Sequence, residues 1–331
     1  VKSLQMSEAS LDADQVKQYD RQIRLWGFAA QQKITQARVL VYGCRGMSAE
    51  IVKNLVLAGV GNVCLMDDGV AQEEDLGSQF LIPAECVGKV SRAEASIKSL
   101  QELNPKAAIR FETGESRILD EDLLKQFDLV CVTDAAQSVQ QQVNALCRQH
   151  RIKFFSVNSH GFFACFFLDL NEHEYHVEKK EADTQKTTTE TFQLSYPSLE
   201  KAMSVSWSKL TKGKAQVSKV FYALQLLHTM QERAGSASVP VENAEELQQG
   251  IDELSKRHSL APACFEDDLF RKLAMQANLH VSMVCSIVGG MAADHMVKAL
   301  TGKEKPLQNY FVYDGRDGSG VVLDLGSEGD A

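Results

Sequence analysis

Residues Arg38 to Asp68, RVLVYGCRGMSAEIVKNLVLAGVGNVCLMDD, constrain the fold more than any other stretch. Val39 to Tyr42 is a short β-branched and aromatic run, as expected of a strand buried on both faces. Gly43 breaks it. Ile51, Val52, Leu55 and Val56 then fall at helical spacing, and Gly59 supplies the stop. Val63 to Met66 reads as a second buried strand, ending in Asp67 and Asp68. Strand, glycine turn, helix and strand make the βαβ unit of a nucleotide-binding sheet. There, phosphates meet the helix N-terminus and an acidic residue takes the ribose.

The turn departs from its own template. G-x-G-x-x-G needs glycine where backbone approaches phosphate, because a side chain blocks that approach. Counting from Gly43, the second glycine position holds Arg45 and the third holds Ser48, with Gly46 between them. An arginine can meet a phosphate, so two readings stay open: a working site with a cationic turn, and a scaffold that no longer binds nucleotide well.

With 331 residues the chain can bury a large core, in one elaborated domain or two. A net charge of −9 argues against nucleic acid as a general partner. No apolar run is expected to reach the roughly 20 residues of a membrane span. The opening VKSLQMSEAS lacks a basic-then-apolar signal pattern, so secretion is not expected; the chain starts on Val1, and a missing true N-terminus is an open expectation. The eight cysteines are scattered through mostly apolar runs and form no C-x-x-C pair, which fits buried thiols in a reducing compartment and argues against a zinc knuckle.

Residues 1–11 read as disordered. A helix is expected through QVKQYDRQIRLWG, capped by Asp12 or Asp14, with Val16, Tyr19, Ile23 and Trp26 in one apolar stripe. Lys17, Asp20, Arg21 and Arg24 lie on its other face, where pattern alone predicts solvated local ion pairs. Strands and helices then alternate to residue 170, the pattern of a doubly wound, mostly parallel α/β sheet, and Asp134 follows the strand FDLVCVT at the edge where such sheets bind ligands. The first part of the main domain is therefore expected over 12–170, a small inserted subdomain over 171–262, and the second part over 263–331. Within the insert, EKKEADTQKTTTET reads as a mobile surface loop, SASVPVEN as a linker, and His173 and His176 as solvated residues. Gly289-Gly290 in the helix HVSMVCSIVGGMAADHMVKAL implies close packing there.

Several stretches together resemble a known family. YDRQIRLWG at 19–27, the βαβ unit, SQFLI at 78–82, SRAEAS at 91–96, LNP at 103–105, VGGMAADHMVKAL at 288–300 and NYFVYDG at 309–315 are similar to the ubiquitin-like-protein activating enzymes, which have a ThiF/MoeB-type, Rossmann-like adenylation fold. More narrowly they resemble the small, non-thioester halves of the branch that acts on SUMO. The likeness covers roughly 15–170 and 264–326 and is loose in the insert. Such enzymes use ATP to activate the C-terminal carboxylate of a ubiquitin-like protein and pass the acyl group to a cysteine.

Set beside the active half of that family, this chain lacks four features. Its second strand ends Asp67-Asp68-Gly69 without Asp-x-Asp, and Gly77-Ser78-Gln79-Phe80 replaces the Asn-Arg pair before Gln-Phe. Paired C-x-x-C motifs and a P-x-C-T cysteine are also missing; Cys264, in Pro-Ala-Cys-Phe, reads as a buried thiol. The resemblance thus implies the decayed half: no cofactor in its own site, no metal, with Asp67 and Asp134 as relics of ribose and metal contacts. ATP and magnesium would be held by a large thioester-forming partner subunit, with SUMO contacted indirectly or weakly, in the nucleus with the cytoplasm as a second expected location. Arg21 would reach across the interface to the ATP phosphates, with Arg24 as the runner-up. The alternatives are the small half for another ubiquitin-like protein, which the short insert disfavours, a self-sufficient homodimeric adenylyltransferase or NAD enzyme, and a scaffold that contributes no residue in trans.

Overall fold

The computed structural model describes residues 11–180, 187–207, 218–235, 244–261, 264–265 and 267–327. The expected disordered N-terminus up to residue 10, the centre of the expected loop at 181–186 and the SASVPVEN linker at 236–243 lie outside them.

The chain builds one mixed sheet. β1 (Arg38–Tyr42), β2 (Asn62–Met66), β3 (Ala108–Glu112), β4 (Leu129–Thr133) and β5 (Lys153–His160) are parallel; β6 (Phe163–Asp169), β9 (Tyr310–Asp314) and β10 (Ser319–Leu323) extend it antiparallel, in the order β10-β9-β6-β5-β4-β1-β2-β3. The strand order reverses between β1 and β4, so the ligand crevice of such a sheet is expected beyond the C-terminal ends of those two strands.

Alternation along the strands divides the core in two. Leu40, Val130, Val132 and Phe154 face one layer; Val39, Val41, Cys131 and Phe155 face the other. The second layer holds α3 (Phe28–Gln36), α4 (Gly46–Ala58), α5 (Arg92–Leu103) and α12 (Ser282–Thr301). The first holds α7 (Gln137–Gln149), α8 (Leu199–Ser204), α9 (Lys219–Ala234), α10 (Ala244–His258) and α11 (Asp267–Met275). Because Trp207, Phe221, Tyr222 and Leu254 share a core with Leu40 and Phe154, the described helical part of 171–262 is not a subdomain with a core of its own. It covers one face of the main sheet.

Three further expectations are corrected. The flanks of the expected mobile loop pair as a hairpin, β7 (Glu172–Lys180) with β8 (Thr187–Ser195), and Tyr175 stacks on Phe192 with ring centroids 5.3 Å apart. The threonine run reads as loop by polarity, yet β-branched residues suit a strand. His173 on that hairpin is buried, not solvated, and burial pushes its pKa down to about 4. One helix, Ser282–Thr301, is long and apolar enough by length and composition to cross a membrane, although no such run was expected. It packs against α4 through Gly289, where an added Cβ would lie 2.9 Å from Glu50 Cβ.

Candidate functional site

The expected first helix is two. α1 (Ala13–Gln18) has Asp12 as its cap, with a capping box to Gln15, and α2 (Asp20–Trp26) begins after Tyr19. Both ends of α2 are held. Asn104 donates from Nδ2 to the Tyr19 hydroxyl at 2.8 Å, and that ring lies beneath Gly59. At the other end Lys303 Nζ donates to the Trp26 carbonyl at 2.8 Å and pairs with Glu178 of the hairpin, while the Trp26 indole donates to Gln31. On this fixed helix the two candidate arginines differ. Arg24 pairs with Asp20 at 2.9 Å. Arg21 is exposed and has no hydrogen-bond or ion-pair partner among the described residues.

Gly43, Arg45, Gly46 and Ser48 meet Asp67 at the start of α4, as the βαβ reading requires, but the groups that would receive a phosphate are already engaged. Cys44 donates its backbone N–H to Asp67 Oδ2 at 2.7 Å, and Gly69 donates to Asp67 Oδ1 at 2.8 Å. Arg92 lies 3.6 Å from the same carboxylate and donates to Asp75 at 2.7 Å. Over Gly46 the space is filled: an added Cβ would lie 2.5 Å from the Ser78 hydroxyl. Ser78 is the residue standing in place of the expected asparagine-arginine pair. Ser48 turns back to the Arg45 carbonyl at 2.8 Å, and Gln79 donates to the Cys44 carbonyl. Asp68 accepts from the backbone of Gly114 and Glu115. These residues do not fit a nucleotide at the turn. At Gly43, φ is +83° and a Cβ would strike the Thr133 carbonyl, so glycine is required for strand-to-strand approach whether or not anything binds.

Asp134 lies on the other side of the switch point, in a cleft of about 930 Å³ that Arg45 also lines. Its Oδ1 accepts the Ser159 N–H at 2.7 Å, and its Oδ2 is 3.7 Å from His280 Nδ1. Ser159 Oγ is 2.8 Å from that same nitrogen, and Arg45 Nη1 is 3.5 Å from His280 Nε2. Serine, histidine and aspartate therefore meet without forming a nucleophilic triad. The hydroxyl and carboxylate share one imidazole nitrogen, whereas base catalysis needs them on opposite nitrogens. His160, next along β5, is buried; its pKa is lowered by desolvation, and His228 on α9 is pushed down to about 3 by the same cause.

Sequence reasoning missed Ser159, His160 and His280. The first two end a buried strand at the edge that singled out Asp134, so the same rule applies to them. His280 precedes α12 with no local signal. Cys264 is half-buried, not fully buried as expected; among the other cysteines, burial raises Cys44, Cys131 and Cys285, the last to about 12. No group of three His, Cys, Asp or Glu among the described residues is arranged to hold a metal ion.

A family model described as the ThiF family matches residues 19–327. The chain is 33% identical to SUMO-activating enzyme subunit 1 of Xenopus laevis over 353 residues, spanning 98% of this chain and 100% of that protein. It is likewise 33% identical to SUMO-activating enzyme subunit 1A of Arabidopsis thaliana, spanning 97% and 98%, and to the human SUMO-activating enzyme subunit 1, spanning 96% of each. The crystal structure of the selenomethionine form of PaaA aligns with a TM-score of 0.57 at 14% identity, over 98% of this chain and 79% of that one, a likeness of fold.

Proposed function

The chain belongs to the ThiF family, and from that premise we propose that it is the small, non-thioester subunit of a heterodimeric SUMO-activating enzyme. ATP and magnesium are held by the large partner subunit, which also carries the reactive cysteine, and the assembly works in the nucleus. This chain supplies Arg21. One observation carries the reading: an exposed guanidinium with no partner among the described residues stands on a helix fixed at both ends, while the chain's own turn is closed by Asp67 and Ser78. A guanidinium presented from outside stabilises phosphate charge without needing a pocket in its own chain.

Exposed apolar side chains favour the α4–α12 face as the ground for the large subunit. Met283 and Ile287 stand out from α12, and Phe80 lies beside α4 with the Lys53 ammonium 5.4 Å from its ring centroid. Exposed large apolar groups gathered on one face mark association surfaces.

ATP–pyrophosphate exchange in the presence of SUMO tests the proposal. The chain alone is expected to be silent, and addition of the large subunit to give exchange. In the complex, Arg21→Ala lowers the rate by about 100-fold, the loss typical of removing one charge-stabilising donor. Unchanged exchange in that variant reduces the chain to a scaffold; exchange by the chain alone makes it a self-sufficient adenylyltransferase.

A further inference from the structure

The parallel strands gather their N-terminal ends at the edge of the sheet opposite the switch-point cleft, and cations collect there. Arg38 opens β1, Asp128 precedes β4 and Lys153 opens β5. Their backbones lie side by side: the Asp128 N–H donates to the Arg38 carbonyl at 2.9 Å, and the Lys153 N–H to the Asp128 carbonyl at 3.2 Å. Arg38, Lys125, Arg151 and Lys153 line one depression of about 330 Å³, with Asp128 as the one carboxylate among its described lining residues. That carboxylate is already engaged. Arg38 donates from its backbone N–H and Nε to one oxygen and from Nη2 to the other. Lys125 pairs with Glu121 and Asp122. The side chains of Arg151 and Lys153 have no hydrogen-bond or ion-pair partner among the described residues.

Both of those cations are held at a cost. Arg151 follows α7 with φ at +55°; its N–H bonds the Arg148 carbonyl at 3.2 Å, and the Ile152 N–H bonds the Cys147 carbonyl at 2.8 Å. This is the left-handed position that ends many helices, and glycine is its usual occupant because a Cβ is strained there. An arginine stands in it here. Burial is the main cause that lowers the Lys153 pKa; Asp128 opposes the shift and Lys33 adds to it. An ammonium in that setting is short of a counterion.

The depression continues along the same edge. A second one, of about 410 Å³, shares Arg38 and Phe127 with the first and reaches Arg110 on β3, which pairs with Glu112 and lies 5.5 Å from the Phe127 ring centroid. Gln101 and Gln126 also line it; their amide N–H groups go to backbone carbonyls, and their oxygens accept nothing among the described residues. From β5 through β4, β1 and β2 to β3 there are four strand spacings of about 4.8 Å, on the order of 19 Å, the reach of about six extended residues. A lone phosphate needs one depression, not two joined. A nucleic-acid strand needs exposed aromatic rings to stack on, whereas Phe127 is buried, and a chain of net charge −9 repels a long polyanion. We propose that this edge is a docking groove for an extended acidic segment of a partner protein, about six residues long. Its carboxylates meet Arg151 and Lys153 at one end and Arg110 at the other, and its backbone N–H groups meet Gln101 and Gln126. The groove uses neither Arg21 nor the glycine turn, so it stands apart from the reading above.

Fluorescence anisotropy of the full chain tests it, with a labelled hexapeptide carrying two glutamates at each end of a Gly-Ser centre. The peptide is expected to bind at least about tenfold tighter than its glutamine counterpart, and to lose affinity as salt is raised. Arg151→Gly relieves the left-handed strain, so it should hold or raise the unfolding midpoint while weakening binding about tenfold, the loss of a charged hydrogen bond. Lys153→Met keeps the apolar stem and removes the ammonium, with a similar loss of affinity. Arg110→Ala, at the far end, should weaken binding as well. Equal binding of the glutamine peptide overturns the proposal, and so does binding that survives Arg151→Gly and Lys153→Met together. A diglutamate binding as tightly as the hexapeptide, or no effect of Arg110→Ala, reduces the groove to a small-anion site and overturns it too. Tighter binding of a short oligothymidylate would assign the edge to nucleic acid instead.

Discussion

Asp67 accepts the backbone N–H of Cys44 at 2.7 Å, so a carboxylate of the chain itself occupies the hydrogen-bonding position that a phosphate takes in a working glycine turn. Two residues that the sequence sets 23 apart thereby close the site from inside. The second strand delivers the acid, and the turn delivers the donor.

Removal of that carboxylate measures how far it has become structural. Asp67 is buried, and Asp67→Ala strands the N–H groups of Cys44 and Gly69 and leaves Arg92 with Asp75 alone. Leaving buried donors unsatisfied beside an under-neutralised guanidinium costs about 2–4 kcal/mol. Urea unfolding should show a lower midpoint with unchanged slope. An unchanged midpoint would mean that water replaces the carboxylate.

The paired glycines of α12 predict opposite signs. At Gly289 an added Cβ lies 2.9 Å from Glu50 Cβ and 3.2 Å from the Met47 carbonyl; at Gly290 the nearest atom is 3.9 Å away. Gly289→Ala forces the α4–α12 contact apart and costs about 1–3 kcal/mol. Gly290→Ala meets no more than an ordinary van der Waals contact with Asn54 and gains up to about 1 kcal/mol of helix propensity. Thermal unfolding of the two variants should move in opposite directions, and a shared direction would contradict this packing.

The parallel half of the fold was legible because each strand is a short apolar run between turns, and the β1–α4–β2 unit carries the period change from two to 3.6. The insert was not. Its hairpin does carry Tyr175, Val177, Phe192 and Leu194 on one face, but the charged and threonine-rich run between them hides that alternation, and its helices bury Phe221 and Tyr222 against strands far away in sequence. Of the candidate site, Arg45, Asp67 and Asp134 were singled out by position and Arg21 by the family resemblance alone, whereas His280 and Ser78 act through contacts that no local pattern encodes. Ser78 shows the difference well: the sequence records a missing pair, and only the packing over Gly46 shows what fills the space.

Stability should fall on the acid side of neutrality. His295 accepts the Leu307 N–H at Nδ1, which requires a lone pair there, and burial pushes its pKa down to about 4 despite nearby Asp294. Below an unfolded value of about 6.5 the unfolded chain binds a proton that the native state refuses, so folding weakens as pH falls from about 6.5 to 4 and is flat above. His228 and His173, also depressed, act in the same sense. Each contributes up to about 1.4 kcal/mol per pH unit in that window. His295→Gln keeps an acceptor for Leu307 without a titrating group. Denaturant midpoints at several pH values should show a shallower slope for that variant; an equal slope would place the titration elsewhere.

Arg21 and Arg24 share a seven-residue helix and a charge, yet they should behave differently on substitution. Arg24 already spends its charge on Asp20 in an exposed i,i+4 pair, a contact worth about 0.3–0.5 kcal/mol, so Arg24→Ala should leave both folding and exchange by the complex nearly unchanged. Among the described residues Arg21 has no such contact to lose, and Arg21→Ala should leave the unfolding midpoint where it is while the exchange rate falls. Arg21→Lys separates shape from charge. Lysine restores the charge but not the planar fork that meets two phosphate oxygens, so it should recover only part of the lost rate. Full recovery would mean that field alone matters at this position. Equal losses from Arg21→Ala and Arg24→Ala would assign the effect to the helix surface as a whole, and the trans contribution would no longer rest on one guanidinium.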